Sequence, residues 1–296
     1  MENEPSKPEK LHPLDPRARQ QQIVAQQEKR QQQPQIRLHF RTVQPTVTHA
    51  LIAINVAIFL LRALSPEIDR TILEFGINRP AAILRDNEYY RLLTSMFLHA
   101  GVFDIFGNYD FRGSFHIVFN MWMLYIFGRN LEALFGHKRF FIIYLLGGLG
   151  GSVLSAALNG IDEFGSIGAS GAVFAIIGAE GVYLYHHRRL FGERGRARLR
   201  ALMMWGAINF VFGFAASAGL GNIRIDNFGH LGGLIGGVVL TWFLAPIFVP
   251  RPDPDREGIY IAEDTNPYVG KYPILSAYSA ALLAILFVAV LMVGHG

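Results

Sequence analysis

Seven stretches of mostly apolar residues lie along this chain, at 47–64, 115–135, 139–158, 170–187, 201–219, 228–249 and 274–293. A helix that crosses the hydrocarbon core of a bilayer needs about 20 such residues. The fourth and sixth stretches are interrupted by glycine and alanine. That would weaken a helix in water, but in lipid small residues let helices approach closely. The pattern predicts an all-α fold, a polytopic membrane helical bundle.

The organisation follows from the same pattern. Residues 1–45 read as a polar, cytoplasmic tail, dominated by glutamine from Arg19 to Gln35, and 46–250 as a membrane core. Residues 251–273 read as a cytoplasmic linker and 274–296 as an extra transmembrane helix. The first apolar run begins near Val47 and has no small-residue cleavage site, so it is not expected to be a signal peptide.

Composition strengthens the membrane assignment. The chain is 51% hydrophobic and only 17% charged, where a soluble domain carries about a quarter charged residues. It has no cysteine, which removes disulfides, thiolate nucleophiles, thiolate zinc sites and iron–sulfur clusters. No His-Glu-x-x-His pattern occurs, so neither a metal nor another cofactor is expected.

The net charge of +4 is a topology signal and not a nucleic-acid footprint. His186 to Arg200, taken as a loop with a solvated His186-His187 pair, holds six arginines. Arg129, Lys138 and Arg139 follow the second span, and Arg251, Arg256 and Lys271 follow the sixth. On the opposite side Gly160 to Ser166 has no basic residue, and Gly219 to Asn227 has only Arg224. Basic loops stay in the cytoplasm. The N-terminus is therefore expected inside and the C-terminus outside, in a bacterial inner membrane, with a eukaryotic secretory membrane as the alternative. The first loop, Ser65 to Ser114, is long enough to carry structure of its own. Its Phe97, Leu98, Val102, Phe103, Ile105 and Phe106 suggest a segment in the outer interface.

Polar residues inside spans are costly, so each is a functional hypothesis. The second span opens with His116 and Asn120, spaced to share a helix face. The fourth opens with Gly168-Ala169-Ser170-Gly171, the sixth with Gly229-His230. In the expected topology all three run from outside to inside, which puts the four side chains near one surface. A hydroxyl needs a base to become a nucleophile, and an imidazole suits that task near neutral pH. A tetrahedral intermediate needs donors for its oxyanion. Ser170, His230 and the His116/Asn120 pair supply a candidate for each.

Tyr90-Arg91, Phe97-Leu98-His99-Ala100, His116-Ile117-Val118-Phe119-Asn120, Gly168-Ala169-Ser170-Gly171 and Gly229-His230-Leu231-Gly232-Gly233 resemble, in that order, the motifs of rhomboid intramembrane serine proteases. The resemblance covers residues 46–250 and implies a six-helix core, with 274–293 as a seventh helix. It implies Ser170 as nucleophile, His230 as base, and an oxyanion hole from His116, Asn120 and the Ser170 backbone. Gly168 and Gly171 flank the nucleophile. Phe174 matches the aromatic that stacks on the catalytic imidazole, and Gly233 and Gly237 make a Gly-x-x-x-Gly contact on the histidine's helix. Arg91 resembles a structural arginine of the first loop, and Glu132 the acid ending the second span. The implied substrates are single-span membrane proteins, with the bilayer as the other partner. The chain departs from the family pattern between His99 and His116, where it is longer.

Three other readings stand beside this one. Asp226, four residues before His230, could orient the imidazole as the third member of a triad. A catalytically silent rhomboid-like protein could bind membrane clients for quality control or trafficking, although such relatives typically lack Ser or His. A transporter would accommodate polar spans, but no inverted repeat is evident. His99 reads as structural, and Tyr109-Asp110, without a Gly-x-Gly-Asp partner, as coincidental.

Overall fold

The computed structural model describes residues 37–104, 106–161, 165–215 and 225–294, together with Pro16, Gln20 and Val24. The glutamine-rich tract, Ile105, Arg224 and the end of the fifth predicted span lie outside the described residues. The chain divides into two compact units, residues 1–39 with 250–261, and residues 40–249 with 262–296.

In the smaller unit, strand β1 (Arg37–His39) pairs in parallel with Ile259–Ile261, Leu38 opposite Tyr260. That partner belongs to β3 (Ile259–Asp264), which lies between β1 and β2 (Phe248–Pro252) in the sheet.

The larger unit is helical. It begins with α1 (Thr46–Arg62). The first loop then folds into α2 (Pro66–Gly76), α3 (Pro80–Leu84) and α4 (Arg91–Thr94). The second span, α5, runs from Ser114–Met123 through a π-helical stretch, Leu124–Gly128, into Arg129–Phe135. After it come α6 (His137–Leu158), α7 (Ser170–His186), α8 (Arg188–Ala215), α9 (Asn227–Leu244) and α10 (Tyr272–Gly294).

A helix therefore stands at each of the seven predicted stretches. Among the described residues, three are long and apolar enough to cross a membrane by themselves, His137–Leu158, Asn227–Leu244 and Tyr272–Val293. Thr46–Arg62 is apolar but shorter. The chain is a helical membrane bundle.

Two expectations need correction. The arginine-rich segment after α7 is helical and not a loop: a short helical piece from Arg188 breaks at Gly192, where φ is +52°, and a second piece resumes beyond it to Ala215. Arginine, leucine and alanine are strong helix formers, and no proline interrupts them. His187 is buried and not solvated. Its Nδ1 donates to the Tyr183 carbonyl (2.9 Å), and its Nε2 accepts from the Phe248 N–H (3.0 Å). In the first loop, Leu98 and Val102 also pack inward, leaving Phe106, Tyr109 and Phe111 exposed.

Close backbone contact organises the core. A Cβ on Gly233 would lie 2.0 Å from the Gly171 carbonyl oxygen, and one on Gly237 2.0 Å from that of Ala175. No side chain fits, so α9 and α7 touch backbone to backbone. On another face of α9, a Cβ on Gly232 would lie 2.5 Å from the Gly150 carbonyl of α6. In lipid such van der Waals contact replaces the hydrophobic drive that water would supply.

Buried polar groups tie the periphery to this core. The Glu132 carboxylate, fully buried, accepts from the N–H groups of Val47 (2.8 Å) and Thr48 (2.7 Å) and from the Thr48 hydroxyl (2.6 Å). It also contacts His137 Nδ1 at 2.6 Å. One acid thus caps α1, whose N-terminal residue Pro45 offers no side-chain cap. Glu180, buried in α7, pairs with Arg198 of α8. Arg91 donates to the Glu74 (2.6 Å) and Ile77 (3.2 Å) carbonyls and pairs with Glu88, fixing the fold of the first loop.

Replacing Glu132 with alanine leaves two backbone donors without an acceptor, so stability is expected to fall by about 3 kcal/mol. Thermal or denaturant unfolding in detergent checks this; an unchanged transition would show that water replaces the carboxylate.

Candidate active site

Three helix N-termini converge on one place, those of α5, α7 and α9. Each brings polar side chains in its first turns, and the backbone contact between α7 and α9 sets their separation.

Ser170 begins α7, and His230 lies in the first turn of α9. The Ser170 Oγ lies 3.0 Å from His230 Nε2, a hydrogen bond between residues 60 apart in sequence. Phe174, one turn after Ser170, stacks on the His230 ring with centroids 4.3 Å apart and planes 17° from parallel. Phe210 of α8 packs against the same phenyl at a tilt of 60°, 5.5 Å between centroids. The imidazole therefore has a fixed plane.

Among the described residues His230 Nδ1 has no hydrogen-bond partner. Asp226 lies nearby but is occupied otherwise: its Oδ1 accepts the Gly229 N–H at 2.8 Å as the N-cap of α9, and the Asn159 amide donates to it at 3.3 Å. Its role here is that of a helix cap.

His116 faces the same place from α5. Its Nδ1 accepts the Ala100 N–H at 3.2 Å, which in a neutral ring leaves the proton on Nε2. That Nε2 points at Gly168, where a Cβ would stand 2.9 Å from it and 3.7 Å from Ser170 Oγ. Gly168 has φ +131°, disfavoured for any residue with a side chain, and its N–H donates to the Ser95 carbonyl (3.0 Å). It can only be glycine. Asn120, buried, donates one amide hydrogen to the His116 carbonyl (2.9 Å) and keeps the second. The Ser170 N–H, at the first helical position of α7, has no intrahelical acceptor, and the helix dipole makes that end attractive to negative charge.

His99 packs 5.1 Å from the His116 ring. Burial, with His116 and Arg62 alongside, pushes its pKa down to about 3, so it stays neutral. Its Nε2 accepts a long contact from Ala169 N–H (3.5 Å), and its carbonyl accepts from Arg62 (2.5 Å), itself paired with Asp69 at 2.8 Å. His99 is thus a strut between the first loop and the start of α7, as the sequence suggested.

A small cavity of about 30 Å³ opens beside Ser170, lined by Ser95, Ser152, Ser166, Asp226 and the Gly171 and Gly229 backbone. It is roomy and polar enough for a water. None of Ser95, Ser152 or Ser166 stood out in the sequence, because an isolated serine in a small-residue span carries no pattern. Arg62 beside Asp69 could have been noticed, as two charges next to the end of a span. Among the described residues no group of three or more ligating side chains could hold a metal ion.

The Rhomboid domain family model matches residues 86–247. Among curated proteins, "Rhomboid protease GluP" of Bacillus subtilis (strain 168) is 31% identical over 217 residues, 73% of this chain and 37% of that protein. "RHOMBOID-like protein 6, mitochondrial" of Arabidopsis thaliana is 36% identical over 163 residues, 55% of this chain and 46% of the relative. "RHOMBOID-like protein 1" of the same plant is 32% identical over 182 residues, 62% and 40% respectively. The chain spans less than half the length of each of these three relatives. A matched domain spanning more than half of the sequence, on a helical membrane bundle, makes this chain a member of the rhomboid family.

Proposed function

We propose that the protein is an intramembrane serine endopeptidase that cleaves transmembrane segments of other membrane proteins. The 3.0 Å contact between Ser170 Oγ and His230 Nε2 carries this reading. The rhomboid family includes serine intramembrane proteases and acts on membrane-protein substrates in the bilayer. A catalytically silent relative has no need of a hydroxyl and an imidazole kept in register.

In this mechanism His230 Nε2 takes the proton of Ser170 Oγ as the oxygen attacks the scissile carbonyl. The negative charge that forms on the carbonyl oxygen is met by His116 Nε2–H, the second amide hydrogen of Asn120 and the Ser170 N–H. His230 then returns the proton to the leaving amine. A water from the adjoining cavity hydrolyses the acyl-enzyme, with His230 again as base. The pair works as a dyad, since Asp226 caps α9 and does not hold Nδ1. Substrates of a single span, with helix-breaking residues and a small residue before the cut, fit best. A strand of backbone must be unwound to reach a nucleophile flanked by glycine.

The protein is an integral membrane protein. We place its N-terminus in the cytoplasm of a bacterial cell, because the arginines between Arg188 and Arg200 lie at the end of α7 opposite Ser170. Residues 1–45 and 251–273 then belong to the cytoplasmic side, and 274–296 forms a helix added to the core of 46–250.

Purified protein in detergent, given a fluorescent transmembrane peptide, is expected to cleave it, and Ser170→Ala or His230→Ala to lose cleavage down to background. Asp226→Asn should keep most of it, because asparagine caps a helix as well as aspartate. A folded but inactive Asp226→Asn would establish a triad, and serine-independent cleavage would remove the protease assignment. His116→Ala and Asn120→Ala should each lower kcat by about 10²-fold with little change in KM; unchanged kcat in both would leave the oxyanion to the backbone alone. Because the chain has no cysteine, single-cysteine labelling tests the topology. In intact cells an impermeant maleimide is expected to react at Gly160→Cys and not at Arg194→Cys; the reverse pattern would invert the orientation.

A further inference from the structure

The seventh helix touches the core in two places. At its C-terminal end Leu286 and Ala289 join a separate apolar cluster with Ile83, Leu84 and Leu92 of the first loop and Val153 and Ala156 of α6. Near its start, Tyr278 points into the seam between α6 and α9. Elsewhere α10 is open to lipid, with only 11% of its apolar window buried.

The Tyr278 hydroxyl donates to the Leu146 carbonyl of α6 at 3.2 Å. It sits where two glycines make room for it: a Cβ on Gly150 would lie 2.4 Å from this oxygen, and a Cβ on Gly236 would lie 2.3 Å from it. Gly236 is in α9, two turns after His230. Its neighbours Gly233 and Gly237 face the other way, onto the Gly171 and Ala175 backbone of the serine's helix. The histidine's helix is therefore gripped between two surfaces: α7 on one face, α6 and the hydroxyl end of Tyr278 on the other. Removing the side chain empties the notch between Gly150 and Gly236.

We propose that Tyr278 is a positioning residue for the His230–Ser170 pair, a wedge by which the seventh helix holds α9 against α7. This rests on the protease reading for its catalytic consequence, but the position of α9 can be measured without it. The hydroxyl oxygen is the tip of the wedge, with Cζ behind it, and its hydrogen bond to Leu146 anchors it. Losing the hydroxyl should loosen α9 in part, and losing the whole side chain should let it move away from α7. A displacement of the order of 1 Å between reacting groups costs up to about 10²-fold in rate.

The test uses the full chain in detergent with three variants: Tyr278→Ala, Tyr278→Phe, and Leu283→Ala as a control on the exposed face of α10. Cleavage kinetics and labelling of Ser170 by a fluorophosphonate report on the pair. Spin labels at Tyr185→Cys on α7 and Val239→Cys on α9 report the helix separation in the cysteine-free background; both positions are exposed. Tyr278→Ala is expected to lower kcat and the labelling rate at least tenfold with KM within twofold, and to broaden the distance distribution. Tyr278→Phe is expected to fall between the parent and Tyr278→Ala, and Leu283→Ala should leave all three readouts near those of the parent. A Tyr278→Ala protein with the parent's distance distribution overturns the proposal, whatever its activity. So does one in which kcat and Leu283→Ala fall together, the mark of general destabilisation. If the parent neither cleaves nor labels, the protease reading fails by itself, and the distance distribution still decides whether Tyr278 holds α9.

Discussion

The backbone contact between α7 and α9 is the constraint on which the rest depends. In water, two helices would be driven together by the apolar area they hide. In a bilayer that drive is absent, because a lipid chain solvates leucine as well as a neighbouring helix does. What remains is the fit of surfaces, and here the fit is as close as covalent geometry allows, since Gly233 and Gly237 have nothing to hold the carbonyls of Gly171 and Ala175 away. The register of that contact fixes how far His230 stands from Ser170. The stacking of Phe174 on the imidazole fixes the remaining rotation.

Around this contact the chain solves a second problem, that of polar groups in a medium without water. Among the described residues the buried charges have identifiable partners. Glu132 takes the orphan N–H groups at the start of α1, Arg62 pairs with Asp69, and Glu180 pairs with Arg198. These pairs join elements that have little else in common. Among the described residues His230 Nδ1 has no hydrogen-bond partner, and the His116 Nε2 faces Gly168. A group held by packing, with its hydrogen-bonding capacity uncommitted, is what a reaction that moves a proton requires. On the proposed protease reading, donors held in place before any charge develops would leave little reorganisation for the transition state.

The first loop belongs to this scheme as a support. It sends the Ala100 N–H to His116 and so selects the ring tautomer, and it sends the Ser95 carbonyl to Gly168. Its own fold hangs on Arg91 and on the strut formed by Arg62 and His99. The extra length between His99 and His116 forms a turn, closed on the Asp104 carboxylate, that exposes Phe106.

By itself the sequence determined the seven apolar stretches and the helical class, and it singled out Ser170, His230, His116 and Asn120 as candidates. Length and hydropathy decide whether a segment suits lipid, and a polar residue inside such a segment is conspicuous because it is costly. The arginine tract after α7 was misjudged for the same reason: charge indicated a side of the membrane, whereas backbone propensity made the tract a helix. Only the tertiary structure showed that Asp226 caps α9 and also meets Asn159, that His187 is buried, and that Ser95, Ser152 and Ser166 border one cavity. It alone set Tyr278 behind the histidine's helix. Each of these depends on which atoms meet across gaps of tens of residues. Periodicity assigns residues to faces and depths, but it does not encode the distance between two backbones, and here that distance is what brings a hydroxyl to an imidazole.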